Sequence, residues 1–174
     1  MSHVIRAAGG ADLPLLAQVE RSAAALFAQA GEELAWLAQG EPLPVDTLQE
    51  LRRHDCLWVA ADGQNAPVGF LGAELLDGQL FIVELSVALP QQRQGLGTRL
   101  LDAAATHAQS LGCAWLTLST YRHLPWNGPY YARHGFSEIN AVALGAGHAR
   151  KLAREAQDGH EPALRCLMRR PLAR

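Results

Sequence analysis

The sequence predicts one α/β domain spanning residues 1–174, with a mixed, mainly antiparallel sheet of about seven strands flanked by helices. Three observations carry this. Apolar runs of strand length, separated by short turn signals, follow one another in the middle of the chain. Two other stretches repeat their apolar residues at three- and four-residue spacing, and in the final third the two periods alternate. A composition of 49% apolar and 18% charged residues is that of an ordinary globular chain with enough material for a sizeable core.

Val4 to Ala8 has the pattern of a short strand, and Asp12 then offers a helix N-cap with Pro14 in the first turn. Along the helix that follows, Leu16, Val19, Ala23, Leu26 and Ala30 form one stripe until Gly31 ends it. Gly40-Glu41-Pro42-Leu43-Pro44 is a connector to a second helix over Val45 to His54. Strands are predicted at Cys56–Ala61, Pro67–Leu76 and Leu80–Leu89. Asp62-Gly63 and Asp77-Gly78 mark the turns between them, so an antiparallel meander is expected. From Gly95 the period changes: Leu96, Leu100, Ala103, Ala104, Ala108 and Leu111 form a helical stripe that stops at Gly112. Ala114–Thr120 returns to strand chemistry, Gly128–His134 is a short helix, and Phe136–Leu144 is another strand. A helix over Ala146–Gln157 and a strand over Ala163–Arg169 complete the order.

Fifteen Lys and Arg against 17 Asp and Glu give a net charge of −2, which offers no electrostatic reason for a nucleic-acid or anionic-membrane partner. No apolar run reaches the roughly 18 residues a membrane helix needs, and Met1 to Arg6 lacks a basic segment followed by an apolar one. A soluble, cytoplasmic protein is expected. Cys56, Cys113 and Cys166 are odd in number and far apart, which predicts buried free thiols in place of a zinc knot or redox pair. The seven histidines include no His-x-x-x-His pair on a predicted helix, and no metal is expected.

The most informative stretch runs from Leu85 to Leu101, through Ser86, Val87, Gln92, Arg93, Gln94, Gly95, Leu96, Gly97 and Thr98. A strand ends, a loop with two glycines turns, and a helix begins, so backbone N–H groups and the positive end of the helix dipole face one small volume. Gly95 and Gly97 let an anion approach the main chain, while Arg93 and Arg99 add positive charge. The spacing matches neither the Walker loop, which needs Gly-Lys-Ser/Thr, nor the dinucleotide fingerprint, whose third glycine falls at Leu100.

The stretch resembles motif A of the GNAT superfamily of N-acetyltransferases, whose Gln/Arg-x-x-Gly-x-Gly/Ala signature is met by Gln92, Gly95 and Gly97. Tyr130-Tyr131-Ala132-Arg133-His134-Gly135-Phe136 is similar to the family's Tyr-x-x-x-Gly-Phe motif B, after a strand and within a short helix. This resemblance implies a GNAT fold with two splayed central parallel strands. It also implies acetyl-coenzyme A as cosubstrate, its pyrophosphate on the Gln92–Thr98 loop and its pantetheine arm against main-chain groups of Leu85, Ser86 and Val87. Tyr131 matches the family's general-acid position, where a phenol protonates the departing thiolate. Asn127 is the candidate for the family's cofactor-binding Asn, although it stands four residues before Tyr131, closer than usual.

Glu84 is the candidate general base, because it interrupts the apolar run Leu80-Phe81-Ile82-Val83-Leu85-Val87, where a carboxylate is costly without a partner or a task. Strand alternation puts it on one face with Ile82 and Ser86. For the acceptor, Glu32, Glu33 and Trp36, with Tyr121 and Trp126, combine acid and aromatic surface suited to an ammonium group. The function expected is acetyl transfer to a primary amine of a small molecule by direct attack. Two alternatives stand beside it: a non-catalytic acyl-coenzyme A sensor, and a protein N-acetyltransferase. A homodimer is compatible with this reading.

Overall fold

The structure, a computed structural model, describes residues 2–173. Its strands are β1 (Val4–Ala7), β2 (Leu57–Ala61), β3 (Pro67–Leu76), β4 (Gln79–Val87), β5 (Trp115–Tyr121), β6 (Ser137–Ile139) and β7 (Arg165–Pro171). They form a seven-stranded, mostly antiparallel sheet in the order β1-β2-β3-β4-β5-β7-β6. The α-helices are α1 (Leu13–Ala24), α2 (Val45–Arg53), α3 (Leu96–Ser110), α4 (Gly128–Arg133) and α5 (Ala146–Gln157). The predicted α/β class and strand count are those of the structure. By its contacts the chain divides into two compact units, residues 1–74 with 83–104 and residues 75–82 with 105–174.

In the first unit β1 runs antiparallel to β2, Val4 opposite Ala61 and Ala7 opposite Trp58. β2 runs antiparallel to β3, with Val59 opposite Phe70. Leu13, Leu16 and Val19 of α1 and Leu48 and Leu51 of α2 close over Ala8, Leu57, Val59 and Phe70 in one apolar cluster. These are the stripe positions of the two helices and the inward positions of the strands, so the burial follows directly from the two sequence periods.

Asp12 stands at the N-cap position of α1 as expected, with Pro14 in the first turn, but two details differ. Asp12 does not cap α1 through its side chain; its carboxylate is ion-paired with Arg6 at 2.7 Å and accepts from the Gly9 N–H at 2.7 Å. Arg6, six residues back on β1, takes the carboxylate from the helix terminus, because a charge-assisted pair is the stronger bond. The first α-helix also ends at Ala24, and the 3-10 turn Ala25–Gln29 takes over the rest of its stripe.

In the second unit the start of β4 lies parallel to β5, Leu80 opposite Leu116 and Phe81 opposite Thr117. β5 pairs antiparallel with β7 from Trp115–Pro171 to Tyr121–Arg165, and β7 pairs antiparallel with β6. Asp77 and Gly78 take positive φ of 50° and 76°, the left-handed pair a two-residue hairpin requires. The expected strand Phe136–Leu144 shrinks to Ser137–Ile139. Asn140 then accepts from the Val142 N–H at 2.9 Å and turns Ala141–Ala143 into a 3-10 turn. A short-range side-chain bond thus overrides an apolar run. All three cysteines are buried free thiols, as their spacing suggested.

Candidate active site

The predicted loop is built as a strand–loop–helix unit within the first compact unit. β4 delivers Leu85, Ser86 and Val87, and Pro90 sits in the short 3-10 turn Leu89–Gln91 that follows. Gln92 reaches back, its Nε2 donating to the Val87 carbonyl at 2.9 Å, and so ties the loop to the strand end. Arg93 and Gly95 then take positive φ of 63° and 78°. A left-handed arginine is uncommon away from tight turns; here it lets the chain reverse within the three residues Arg93, Gln94 and Gly95 before α3 begins at Leu96. A Cβ added at Gly95 would meet nothing within 4 Å, so the outer face of the turn is open. Leu96 is buried and anchors the first turn of the helix, while Thr98 is exposed and Gly97 half-buried.

The first turn of an α-helix leaves N–H groups without intrahelical acceptors. At α3 these belong to Leu96, Gly97 and Thr98, at the positive end of a 15-residue dipole. Arg93 is exposed beside them, but Arg99 is turned away from the cradle: its Nη2 donates to the His3 carbonyl at 3.0 Å. Of the two arginines suggested for the anion, the loop keeps one.

Glu84 is half-buried on β4, and its Oε1 accepts from the Ser86 hydroxyl at 2.9 Å. The two residues do share a face, as strand alternation requires. Glu84 and the residues of the loop are therefore brought together on one continuous piece of chain.

Tyr131 and Asn127 belong to the second unit. Asn127 precedes α4, and its carbonyl accepts from the Tyr131 N–H at 2.9 Å, one helical turn apart. Asn127 Nδ2 donates to the Trp126 carbonyl at 3.2 Å, while its Oδ1 is buried without a protein partner. Tyr131 is 8% exposed and packs edge-on against Phe136 and Tyr130, with centroids 5.6 Å and 5.3 Å away. Tyr130 is half-buried and stacks on His134, whose Nδ1–H donates to the Tyr130 carbonyl at 2.8 Å. Gly128 opens α4 against the end of β5 at a distance only glycine tolerates, because a Cβ there would lie 2.4 Å from the Arg122 carbonyl oxygen. The position of Tyr131 thus follows from a backbone contact that the sequence marks with one glycine.

The residues proposed for the acceptor are divided in character. Glu32 and Glu33 are exposed and Trp36 is 45% exposed. Tyr121 is buried, its hydroxyl hydrogen-bonded to His160 Nδ1 and its ring covered by Arg165, so it is committed to its own neighbours. Trp126 is half-buried.

Sequence reasoning missed the polar ties of the second unit. His148, fully buried, bonds Asp77 Oδ2 through Nδ1 at 2.7 Å and Thr117 Oγ1 through Nε2 at 2.8 Å. Asp77 also accepts from the Gly147 and His148 N–H groups at 3.0 Å and 2.8 Å, capping α5. The bonds to His148 and to those N–H groups hold its carboxyl below the usual carboxylate range. Only the turn role of Asp77 was legible, since its second partner lies about seventy residues away.

A model of the Acetyltransferase (GNAT) family matches residues 23–136, about two thirds of the chain, from α1 through motif B. The chain belongs to the acetyltransferase (GNAT) family. Solved structures repeat its fold over nearly its whole length. The PaiA N-acetyltransferase of Thermoplasma acidophilum, in complex with coenzyme A, has a TM-score of 0.72 at 16% identity, with 98% of this chain and 99% of that chain covered. The ribosomal-protein-S18-alanine N-acetyltransferase of Escherichia coli has 0.68 at 17%, covering 99% and 96%. The N-acetylglutamate synthase of Neisseria gonorrhoeae, complexed with coenzyme A and N-acetyl-glutamate, has 0.70 at 18%, covering 100% of this chain and 36% of that one. This GNAT chain therefore shares its fold with enzymes named for protein and for small-molecule acceptors. Among the described residues no helix is long and apolar enough to cross a membrane, and no group of three or more His, Cys, Asp or Glu side chains is placed to hold a metal ion.

Proposed function

We propose that this protein transfers the acetyl group of acetyl-coenzyme A to a primary amine, with small-molecule amines as the first acceptors, by direct attack in a ternary complex. The observation that carries the reading is the open turn at Gly95 leading into the first turn of α3. Its backbone N–H groups and dipole suit a pyrophosphate, and no side chain fills the space outside Gly95. Gln92, Arg93, Gln94, Gly95, Leu96, Gly97 and Thr98 would hold the pyrophosphate. Main-chain groups of Leu85, Ser86 and Val87 would hold the pantetheine arm, with Asn127 as a further contact. The solved relatives bound to coenzyme A support this assignment.

In the proposed reaction the amine nitrogen forms a bond to the thioester carbonyl carbon, and the carbon–sulfur bond breaks. The proton leaving the ammonium goes toward Glu84, directly or through water, and the Tyr131 hydroxyl gives a proton to the departing thiolate. The exposed acid and ring of Glu32, Glu33 and Trp36 offer a cationic acceptor both charge and a π face. The test is release of free thiol from acetyl-coenzyme A with a panel of small amines and of peptides with free N-termini. Turnover with small amines is expected. Turnover with peptides alone transfers the assignment to a protein acceptor, and binding of coenzyme A with no turnover on any amine contradicts an enzyme.

A further inference from the structure

The connection from α5 to β7, residues 158–164, meets the end of β5 within the second unit. Gly159 takes a positive φ of 100° and turns the chain off the helix. Along this connection only His160 and Leu164 are not exposed, and both are tied down. His160 Nδ1 is hydrogen-bonded to the Tyr121 hydroxyl, and the Leu164 carbonyl accepts from the Arg122 N–H at 2.8 Å. Arg122 Nη1 also donates to the Ala163 carbonyl at 2.7 Å. A neutral imidazole has one bare nitrogen, so the pair is complete when Nδ1 accepts and Tyr121 donates. The ring also borders a cavity of about 60 Å³, shared with Leu152, Ala156 and Pro162 and large enough for water. That room lets a proton reach a half-buried imidazole and gives the ring space to leave its seat.

Charged groups face this pair from two elements. Arg165 of β7 lies over the Tyr121 ring, 4.6 Å from its centroid. Glu155 of α5 is ion-paired with Arg165 at 3.0 Å and accepts from the Ser119 hydroxyl, while Asp158 stands at the C-cap of α5. Burial pushes the His160 pKa down, Arg165 adds to this, and Glu155 and Asp158 oppose it without cancelling it. Burial also keeps the Tyr121 phenol protonated. A proton on Nδ1 therefore takes away the acceptor of the Tyr121 hydroxyl and sets a second positive charge beside Arg165. The residues held by this connection are the ones that seat α4. Gly128 packs on the carbonyls of Tyr121 and Arg122 with no room for a Cβ, and one turn on the Tyr131 N–H donates to the Asn127 carbonyl at 2.9 Å. We propose that His160 is a positioning residue for α4 and its Tyr131: unprotonated, it clamps the connection onto Tyr121 and Arg122, and protonated, it lets the connection lift and loosens the seat of Gly128. The clamp requires no cofactor; only its consequence for acetyl transfer rests on the reading of Tyr131 as the acid.

Because the seated ring titrates below the roughly 6.5 of an unfolded His, the clamp holds in full above about pH 6.5 and weakens as pH falls toward the lower seated value. Opening takes up one proton across that window, so its equilibrium constant rises by up to about tenfold per pH unit and levels off below it. The test is amide hydrogen exchange by NMR on the full chain without ligand, from about pH 7.5 to 5, expressed as protection factors to remove the intrinsic effect of pH. The His160 N–H, bonded to the Glu155 carbonyl at 3.0 Å, reports the clamp, and the Tyr131 N–H reports α4. Leu101, fully buried within α3, is the reference. In the wild type the protection of His160 and Tyr131 is expected to fall together by up to about tenfold per pH unit below about pH 6.5, with Leu101 unchanged. His160→Asn keeps an oxygen to accept from Tyr121 but takes up no proton in this range, and its protection factors are expected to stay flat. The imidazole of His160, titrated by NMR in the wild type, is expected to give a pKa below about 6.5. The wild-type measurements decide the matter even where the variant does not fold. The proposal is overturned by wild-type protection that does not change, by the same fall in a folded His160→Asn, or by a His160 pKa at or above about 6.5. It is overturned equally by a fall at His160 that Tyr131 does not share, or by a fall that Leu101 does.

Discussion

Tyr131 and Tyr130 are adjacent, yet α4 gives them different surroundings: Tyr131 is buried against Phe136, while Tyr130 is half-buried on His134. Successive helical residues point about 100° apart, so one thioester sulfur cannot be served by both phenols. Tyr131→Phe removes only a hydroxyl. At saturating acetyl-coenzyme A, turnover is expected to fall by about 10²- to 10⁴-fold with cofactor affinity unchanged, whereas Tyr130→Phe should keep most of the activity. A crippled Tyr130→Phe beside an active Tyr131→Phe would move the acid by one residue. Glu84 tests differently, because a base matters most while the amine is largely protonated. Glu84→Gln is expected to lower the rate more at neutral than at high pH, and a wild-type to variant ratio that stays flat with pH would make Glu84 structural. Both candidates were legible as single residues, Tyr131 from its motif and Glu84 from a charge in an apolar strand. The bond from Ser86 to Glu84 was half legible, since alternation gives the shared face but not the hydrogen bond.

At the scale of elements, what the sequence showed and what it hid divide by the range of the interaction. Helices and strands with a long period, such as α3 and β3, stand where their stripes put them. An element decided by one polar side chain does not: Asn140 cuts short the strand expected to run to Leu144, while Asp12 keeps the N-cap position of α1 but gives its side chain to Arg6. The attachment of α5 is the largest case. Asp77, in the β3–β4 turn, caps the helix through two N–H groups and orients His148 toward Thr117, a tie that no local pattern announces. Because the folded carboxyl is held below its unfolded pKa of about 3.9, its stabilisation is fully present above that value and is lost as pH falls through the folded pKa. Asp77→Asn should therefore lower the melting temperature at pH 7, and the gap to wild type should narrow once pH falls below the unfolded value of about 3.9 and through the lower folded one. A gap that does not narrow on acidification would show that the charge of Asp77 contributes nothing and only its shape matters.

For the whole molecule, the order of seven strands and five helices was largely readable, because alternating periods and turn residues specify each element locally. The division into two compact units was not, since it depends on which distant elements share contacts. The candidate site was legible where it follows the chain. Glu84 to Thr98 is one stretch of sequence and one stretch of structure, while Asn127 and Tyr131 had to be recognised by motif. The central claim is that this stretch cradles the pyrophosphate of coenzyme A, and its most direct test is the thermal shift that coenzyme A produces in the wild type and in Gly97→Val. Ligand at about 100 times its Kd stabilises the native state by about 2.7 kcal/mol, which for a chain of this size raises the melting temperature by roughly 5 to 10 °C. The account predicts that shift in the wild type and none in a folded Gly97→Val, whose branched side chain would occupy the first turn of α3 beside the anion. A folded Gly97→Val that shifts as much as the wild type would contradict it.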